Sequence, residues 1–230
     1  MNQRRTPTPP PPPRKKPLWL FGGLLAVAAL ALGIAVWSAS GNGKVSQGSV
    51  ATDASGVASS SAAETQPVTV VGTPLPTPPD SGVDPAVGLT PPTLQGFTFD
   101  GTPIDITPGG GRAKMVVFLA HWCPHCNREI PVILHWADTI GVPSNLDIVG
   151  VSTGVSAQRD NYPPSKWIVS KGWKWPVMAD SVNSDAAVAY GLVAYPTFAI
   201  IGADGTVKLR SSGELAETDL DALVKQALAK

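Results

Sequence analysis

One stretch, residues 115–131, holds both cysteines of the 230-residue chain and constrains its fold more than any other. It begins with five apolar residues, 115–119, a run that predicts a strand buried on both faces of a sheet. Cys123 and Pro124 follow, and proline favours the first position of a helix because its missing N–H would have no partner there. The sequence therefore predicts a buried strand, a short loop and a helix whose N-terminus holds Cys123.

The cysteine pair is predicted to be a redox-active dithiol. Free N–H groups and the helix dipole stabilise an anion at a helix N-terminus, so Cys123 is expected to be the reactive thiolate. Cys126 lies one helical turn later on the same side, within reach of a mixed disulfide at Cys123. A structural disulfide is the alternative, but a bridge that closes so short a loop removes little entropy from the unfolded chain.

Metal binding is a second alternative, because His121 and His125 lie beside the two thiols. Structural zinc sites usually combine two separated pairs of ligands, and no cysteine or histidine follows His135. We therefore predict no metal and no other cofactor, with the electrons of the reaction carried by the two sulfurs. His121 and His135 are expected to be ordinary surface or packing residues.

The N-terminal part of the chain predicts a membrane anchor. Residues 1–17 are basic and proline-rich, and residues 18–37 carry no charge over a length that would span about 30 Å as a helix. Trp19 and Trp37 lie near the two ends, and the basic cluster predicts a cytoplasmic N-terminus with the rest of the chain outside the cytoplasm. A signal peptide cleaved near residues 38–40 is the alternative, but its apolar core would usually be shorter, roughly 7–15 residues.

The remainder divides into a predicted linker and a predicted domain. Residues 38–92 are dominated by small residues and proline, which predicts a flexible linker. Over residues 93–230, apolar runs alternate with helical patterns, which predicts one α/β domain with a largely parallel central sheet. The whole chain has 17 basic and 17 acidic residues, so no basic surface suggests a nucleic-acid partner.

These motifs together resemble the thioredoxin superfamily. The pattern consists of Trp-Cys-Pro-His-Cys at residues 122–126, Glu129 and Pro131 in the following helix, and Tyr-Pro-Thr at residues 195–197. It is most similar to the membrane-anchored extracytoplasmic branch, the TlpA/ResA-type thiol-disulfide oxidoreductases. The resemblance implies a thioredoxin-like fold, a central mixed sheet flanked by helices. It also implies protein thiols and disulfides as substrates and a redox partner in the membrane.

The resemblance also implies roles for residues outside the cysteine pair. Pro196 would follow a cis peptide bond and face the dithiol, so that the backbone of Tyr195 contacts an extended substrate segment. Trp122, directly before Cys123, is the third predicted substrate-binding residue, with Tyr195 and Pro196. Glu129 matches a carboxylate three residues after the second cysteine, one helical turn from Cys126, where it would exchange a proton with that thiol. A solvent-exposed surface residue is the alternative for Glu129.

His125 departs from the reducing members of this branch. Cys-Pro-His-Cys is instead similar to the dithiol of the strong periplasmic oxidants of the DsbA type. A histidine near the helix N-terminus would stabilise the Cys123 thiolate and hence the reduced form, which makes the disulfide more oxidising. Both directions of electron flow therefore stay open. A redoxin-type thiol peroxidase and a non-enzymatic copper-handling assembly factor are the alternatives to thiol-disulfide exchange.

Overall fold

The computed structural model describes residues 63–229, which form a mixed β-sheet with helices on both faces. The strands are β1 (Thr69–Val71), β2 (Thr93–Phe97), β3 (Pro103–Ile106), β4 (Ala113–Leu119), β5 (Leu146–Ser152), β6 (Val177–Ala179), β7 (Thr197–Ile201) and β8 (Val207–Ser212). The helices are α1 (Pro124–Trp136), α2 (Pro164–Ser170), α3 (Asp185–Ala189) and α4 (Glu217–Leu228). One wider π-helical turn, Ala137–Gly141, continues directly from α1.

The strands lie in the order β1-β2-β6-β5-β4-β7-β8, and β3 pairs with β2. The central strand β4 runs parallel to β5 and antiparallel to β7. β7 and β8 form the hairpin that the turn at Asp204 and Gly205 indicates, although one bulge interrupts their register. The prediction of a central mixed sheet flanked by helices is confirmed for the described residues. The prediction of a largely parallel sheet is wrong, because parallel pairing among these strands is restricted to β4, β5 and β6.

The side chains of β4 alternate between two cores, one on each face of the sheet. Met115, Val117 and Leu119 pack into the core that also contains the buried side chains of α1, α2 and α4. Val116 and Phe118 face the opposite core, which contains α3. All five side chains are buried, and burying each one contributes about 1.5–3 kcal/mol to folding. The sheet therefore fixes β4 rigidly, and with it the start of α1.

Part of the predicted linker belongs to the folded domain. β1 pairs antiparallel with β2, and the segment that follows, residues 72–92, is here called the strap. Leu75 and Ala86 of the strap are buried in the core on the α3 side of the sheet. The prediction that residues 38–92 are all linker is therefore wrong for residues 63–92. Backbone pairing and a few buried side chains hold this segment in place despite its linker-like composition.

The strap also covers the outer edge of β8. The Val207 N–H donates to the Leu89 carbonyl oxygen over 2.8 Å, which pairs part of an otherwise free strand edge. Arg210 forms an ion pair with Asp84, and the Arg210 side chain is only 4% exposed. The Arg210 guanidinium also donates to the carbonyl oxygens of Tyr190 (2.6 Å) and of a strap residue (2.8 Å).

The predicted basic tail, residues 1–17, and the predicted anchor, residues 18–37, lie outside the described residues. So does the first part of the predicted linker, residues 38–62. Between residues 63 and 229, no helix combines the length and the apolar character that crossing a bilayer requires.

Candidate active site

Both thiols are free and lie where β4 gives way to α1. Cys123 occupies the N-cap position of α1 with an extended backbone, and Pro124 is the first residue of the helix. The Cys123 N–H donates to the Ala120 carbonyl oxygen over 3.0 Å, which closes the tight turn out of the strand. Cys123 is 5% exposed and Cys126 is fully buried, so Cys123 is the thiol nearer to solvent.

The Cys123 thiol lies against the loop that precedes β7. Its Sγ donates to the Tyr195 carbonyl oxygen over 3.6 Å, and the Tyr195–Pro196 peptide bond is cis. This contact depends on the pairing of β4 with β7, in which Phe118 lies opposite Thr197. The antiparallel register thereby brings together two motifs that are 72 residues apart.

Cys126 occupies a different environment. Its Sγ accepts the Ala120 N–H over 3.5 Å. Burial raises the pKa of the Cys126 thiol, and the neighbouring charges of Cys123 and Glu129 act in the same direction. Cys126 therefore needs a proton acceptor before it can attack as a thiolate.

Glu129 is buried on the same helix, with 1% of its surface exposed. Its Oε2 accepts the Leu215 N–H over 2.9 Å, whereas Oε1 has no partner among the described residues. Burial raises the pKa of the Glu129 carboxyl to about 7; the bond from Leu215 opposes this rise and the charge of Glu214 adds to it. The alternative of a solvent-exposed Glu129 is wrong. At neutral pH, this carboxyl can both take and give a proton.

His125 and Arg128 project from the exposed side of α1, and both contact Glu214, which lies between β8 and α4. The Arg128 Nε donates to both carboxylate oxygens of Glu214, at 3.0 and 3.1 Å. Arg128 and, to a smaller extent, His125 lower the pKa of Glu214 to about 2. The imidazole of His125 is thus paired with a carboxylate, a contact absent from the sequence prediction. No local pattern marks Glu214, which is 86 residues from Arg128.

His121 and Trp122 hold the loop between β5 and α2. His121 is buried; its Nδ1 bonds the Asp160 carbonyl oxygen over 2.7 Å, and its Nε2 accepts the Ser156 N–H over 3.2 Å. These partners assign the tautomer with the proton on Nδ1. The Trp122 Nε1 donates to the Gly154 carbonyl oxygen over 2.7 Å.

The Trp122 ring also contacts residues from two directions. The Tyr195 ring meets it edge-on, with centroids 6.0 Å apart and an angle of 89° between the planes. The Arg159 guanidinium lies over the ring, with Cζ 4.1 Å from its centroid. The structure thus places Trp122, Tyr195 and Pro196 around Cys123, whereas no pattern in the sequence marks Arg159.

The potential metal ligands near the dithiol do not converge on one point. Across the described residues, no three side chains of the types His, Cys, Asp and Glu are grouped so that they could hold a metal ion. The two histidines near the dithiol are both engaged elsewhere, His121 with backbone groups and His125 with Glu214.

The mixed sheet, with a free dithiol at the start of the helix that follows its central strand, defines a thioredoxin-fold protein with a Cys-x-x-Cys site. The chain belongs to the Redoxin family, whose family model matches residues 71–226. This match begins within β1, so it includes the strap that the sequence assigns to a linker.

Among curated proteins, the chain is 28% identical over 145 residues to Protein DipZ of Mycobacterium tuberculosis and of Mycobacterium bovis. The alignment covers 60% of this chain and 21% of each relative, so the chain spans about a fifth of their length.

Two solved structures from Chlorobium tepidum are similar to this chain. A putative thiol:disulfide interchange protein DsbE is 20% identical with a TM-score of 0.52, covering 62% of this chain and 96% of that one. A thiol:disulfide interchange protein of the thioredoxin family is 25% identical with a TM-score of 0.48, covering 68% and 97%. The DsbE likeness confirms the thioredoxin-like fold.

Proposed function

We propose that this chain is a membrane-anchored extracytoplasmic enzyme that exchanges disulfides with protein substrates through Cys123 and Cys126. The carrying observation is the position of Cys123, whose sulfur lies at the helix N-terminus and 3.6 Å from the Tyr195 carbonyl oxygen. Behind it, Cys126 and Glu129 are buried together on α1. This arrangement supports one accessible attacking thiol and one shielded resolving thiol.

Reduction of a substrate would take two steps. The Cys123 thiolate attacks one sulfur of the substrate disulfide, which forms a mixed disulfide and releases the other substrate sulfur as a thiolate that takes up a proton. Cys126 then gives its proton to Glu129 and attacks Cys123, which releases the second substrate thiolate and leaves the Cys123–Cys126 disulfide. Two electrons pass from the enzyme dithiol to the substrate.

Oxidation of a substrate is the same sequence in reverse. A substrate thiolate attacks Cys123 of the enzyme disulfide, and Cys126 leaves as a thiolate that takes a proton from Glu129. A second substrate thiolate displaces Cys123 and closes the substrate disulfide. Because the pKa of Glu129 is raised to about 7, the carboxyl can serve in either direction.

The binding surface for the substrate chain is proposed to be the loop before β7 together with Trp122. The Tyr195 carbonyl oxygen lies beside the Cys123 sulfur, and the peptide bond between Tyr195 and Pro196 is cis. Trp122, packed edge-on against Tyr195, supplies an aromatic surface next to the dithiol.

The proposed location rests on the N-terminal sequence, with residues 1–17 as a cytoplasmic tail and residues 18–37 as the anchor. A redox partner in the membrane would then restore the dithiol or the disulfide after each turnover. Intact cells treated with a membrane-impermeant thiol reagent should be labelled at Cys123, and the chain should stay in the membrane fraction. Labelling only after lysis would contradict this orientation.

The proposed chemistry is tested with two cysteine variants of the purified full-length chain. Cys126→Ser should accumulate mixed disulfides with protein substrates, because nothing resolves the bond at Cys123. Cys123→Ser should neither turn over nor trap substrates. An active Cys123→Ser protein would overturn the mechanism.

The direction of electron flow is given by the redox potential of the wild-type chain in glutathione buffers, followed by tryptophan fluorescence because Trp122 adjoins the dithiol. A potential near about −120 mV defines an oxidant that introduces disulfides, and one near about −270 mV defines a reductant.

The match to the Redoxin family favours a thiol peroxidase as the second candidate. The Cys123 thiolate would attack a hydroperoxide oxygen, forming a sulfenic acid and releasing an alcohol or water. Cys126 would then condense with the sulfenic acid, which forms the disulfide and a water molecule. Faster turnover of peroxide than of a protein disulfide by the purified chain would favour this candidate.

A further inference from the structure

Arg159 lies directly over the aromatic ring that precedes the reactive cysteine. Its guanidinium carbon is 4.1 Å from the centroid of the Trp122 ring, and the residue is exposed. The loop that carries it is held on both sides, since Ser156 and Asp160 bond the buried His121 and Gly154 accepts the Trp122 indole N–H. Arg159 is therefore fixed beside the dithiol by a well-anchored loop.

The charge of Arg159 is not neutralised by another described residue. Residues 63–229 contain four arginines, and the other three each pair with a carboxylate: Arg112 with Asp147, Arg128 with Glu214 and Arg210 with Asp84. Arg159 forms no salt bridge within this part of the chain and instead stacks on an aromatic ring.

Stacking leaves the hydrogen-bonding edge of a guanidinium free. The Arg159 guanidinium lies over the Trp122 ring and forms no salt bridge within residues 63–229, so its N–H groups remain available to a ligand. This planar fork matches a carboxylate, which it can bind through two parallel hydrogen bonds. Glu214, the exposed carboxylate that contacts the first turns of α1, is already held by Arg128 and His125 and forms no salt bridge with Arg159.

We propose that Arg159 selects substrates that carry an aspartate or glutamate next to the reacting cysteine. The inference rests on the proposed thiol-disulfide exchange and adds a substrate class to it. A substrate cysteine bonded to Cys123 lies beside Tyr195, and Tyr195 and Arg159 both contact the same Trp122 ring. A residue that flanks the substrate cysteine therefore reaches the guanidinium, where an acidic side chain is attracted and a lysine is repelled.

The test uses three synthetic peptides, each with one internal disulfide, that differ only in a Glu, Gln or Lys beside the reacting cysteine. The reduced full-length chain is mixed with each peptide, and kcat/KM for exchange is measured. The wild-type chain should prefer the Glu peptide over the Lys peptide by about tenfold at low ionic strength, and added salt should reduce that preference.

Three variants test whether Arg159 causes the preference for the Glu peptide. Arg159→Gln should bring the Glu-to-Lys ratio close to one, and Arg159→Lys should keep part of it because the charge remains without the planar fork. Arg112→Gln removes the same charge just before β4 and should keep the full ratio. The length of β4 places Arg112 about 23 Å from Leu119, the end of the strand that leads to the dithiol. The ratio is internal to each protein, so a displaced loop that slowed all three peptides equally would leave it unchanged.

The outcomes separate this inference from the function on which it rests. Equal rates for all three peptides with the wild-type chain, or an unchanged ratio in Arg159→Gln, would overturn the role of Arg159 and leave the exchange activity standing. Failure of the wild-type chain to exchange with the Gln peptide in both directions, as reduced chain with the disulfide peptide and as oxidised chain with the dithiol peptide, would overturn the proposed function and the inference together.

Discussion

The sulfur of Cys123 and the carbonyl oxygen of Tyr195 lie 3.6 Å apart, although 72 residues separate them in the chain. Neighbouring strands create this contact, because α1 starts at the end of β4 and the Tyr195–Pro196 loop enters the adjacent strand β7. The reactive thiol therefore faces main-chain atoms of a fixed loop, which is the surface that an extended substrate segment would meet. The chemistry of the site depends on the buried Glu129 and on the exposed Glu214.

Glu129→Gln should slow the step in which Cys126 attacks the mixed disulfide. Burial raises the pKa of the Cys126 thiol, and Glu129 is the buried carboxyl one turn away that can accept its proton. Loss of a general base typically costs about 10²-fold or more in rate. Stopped-flow fluorescence of Trp122 should show the wild-type rate rising through about pH 7, the pKa of Glu129, and the variant lacking that inflection.

Glu217→Gln is the matched control for this measurement, because it removes an α4 carboxylate that pairs with His135 at the far end of α1. Its pH–rate profile should equal that of the wild-type chain. A Glu129→Gln profile that kept the inflection near pH 7 would assign the proton transfer to another group.

Glu129 should also make the stability of the domain depend on pH. Burial raises the pKa of its carboxyl from 4.5 to about 7 in the folded chain. Below pH 4.5, both states hold the proton; between the two values, only the folded state does, so the free energy of unfolding falls as pH rises. The slope is at most about 1.4 kcal/mol per pH unit, and it ends above the folded pKa.

Urea denaturation at several pH values checks this dependence through the difference between the wild-type chain and Glu129→Gln. The glutamine can still accept the Leu215 N–H and has no charge to bury. The variant should therefore gain stability relative to the wild-type chain between about pH 4.5 and 7. Buried Asp180 is present in both proteins and cancels in the difference. A difference that did not change with pH would show that Glu129 stays ionised when folded.

The cysteine pair, its strand and its helix were predictable because their signals are local. A continuous apolar run precedes Cys123, and Pro124 marks the first turn of a helix. The contact with Tyr195 was predictable only through the resemblance, since nothing in the local sequence fixes which strands become neighbours. Glu129 could be singled out by its spacing from Cys126, whereas its burial results from packing that a helical position alone does not specify.

Charge contacts between distant segments explain what the sequence did not predict. Glu214 pairs with Arg128 and Arg159 lies over Trp122, each from a loop, and each has the ordinary appearance of a surface charge in the sequence. The strap was misassigned for a related reason: its composition is typical of a linker, and its attachment depends on Arg210. These contacts form only in the tertiary fold, and local periodicity and composition do not predict which distant residues meet.

Glu214→Gln should make the disulfide more oxidising. The Glu214 carboxylate pairs with Arg128 and His125, so its negative charge offsets the positive charge of Arg128, which interacts with Cys123. Removing its negative charge stabilises the thiolate and hence the reduced form. The redox potential in glutathione buffers should rise by up to about 30 mV, which corresponds to a tenfold change in the exchange equilibrium.

The control for this shift is again Glu217→Gln, whose partner His135 lies ten residues, about 15 Å, along α1 from His125. That variant removes an equivalent carboxylate–histidine pair at a distance from the dithiol, and its potential should equal that of the wild-type chain. A lower potential in Glu214→Gln would mean that the carboxylate acts mainly by holding the Arg128 and His125 side chains in place beside the start of α1.

Asp84→Asn should destabilise the domain much more than the same change in an exposed ion pair. Asp84 neutralises Arg210, and the two side chains are 15% and 4% exposed. Loss of one partner leaves a buried charge uncompensated, which costs about 3–5 kcal/mol. Asp147→Asn breaks the Arg112 pair, in which both side chains are 48% exposed, and should cost less than about 1 kcal/mol.

Urea denaturation of the full-length variants near pH 7 measures both costs. Arg210 lowers the pKa of Asp84 below 3.8, so the folded state holds this carboxylate ionised where the unfolded chain begins to take up a proton. The advantage of the wild-type chain over Asp84→Asn should therefore shrink as the pH falls through that value. Equal costs for the two variants at pH 7 would show that the strap contributes little to the stability of the domain, and that the domain's stability resides in the sheet from β2 onward.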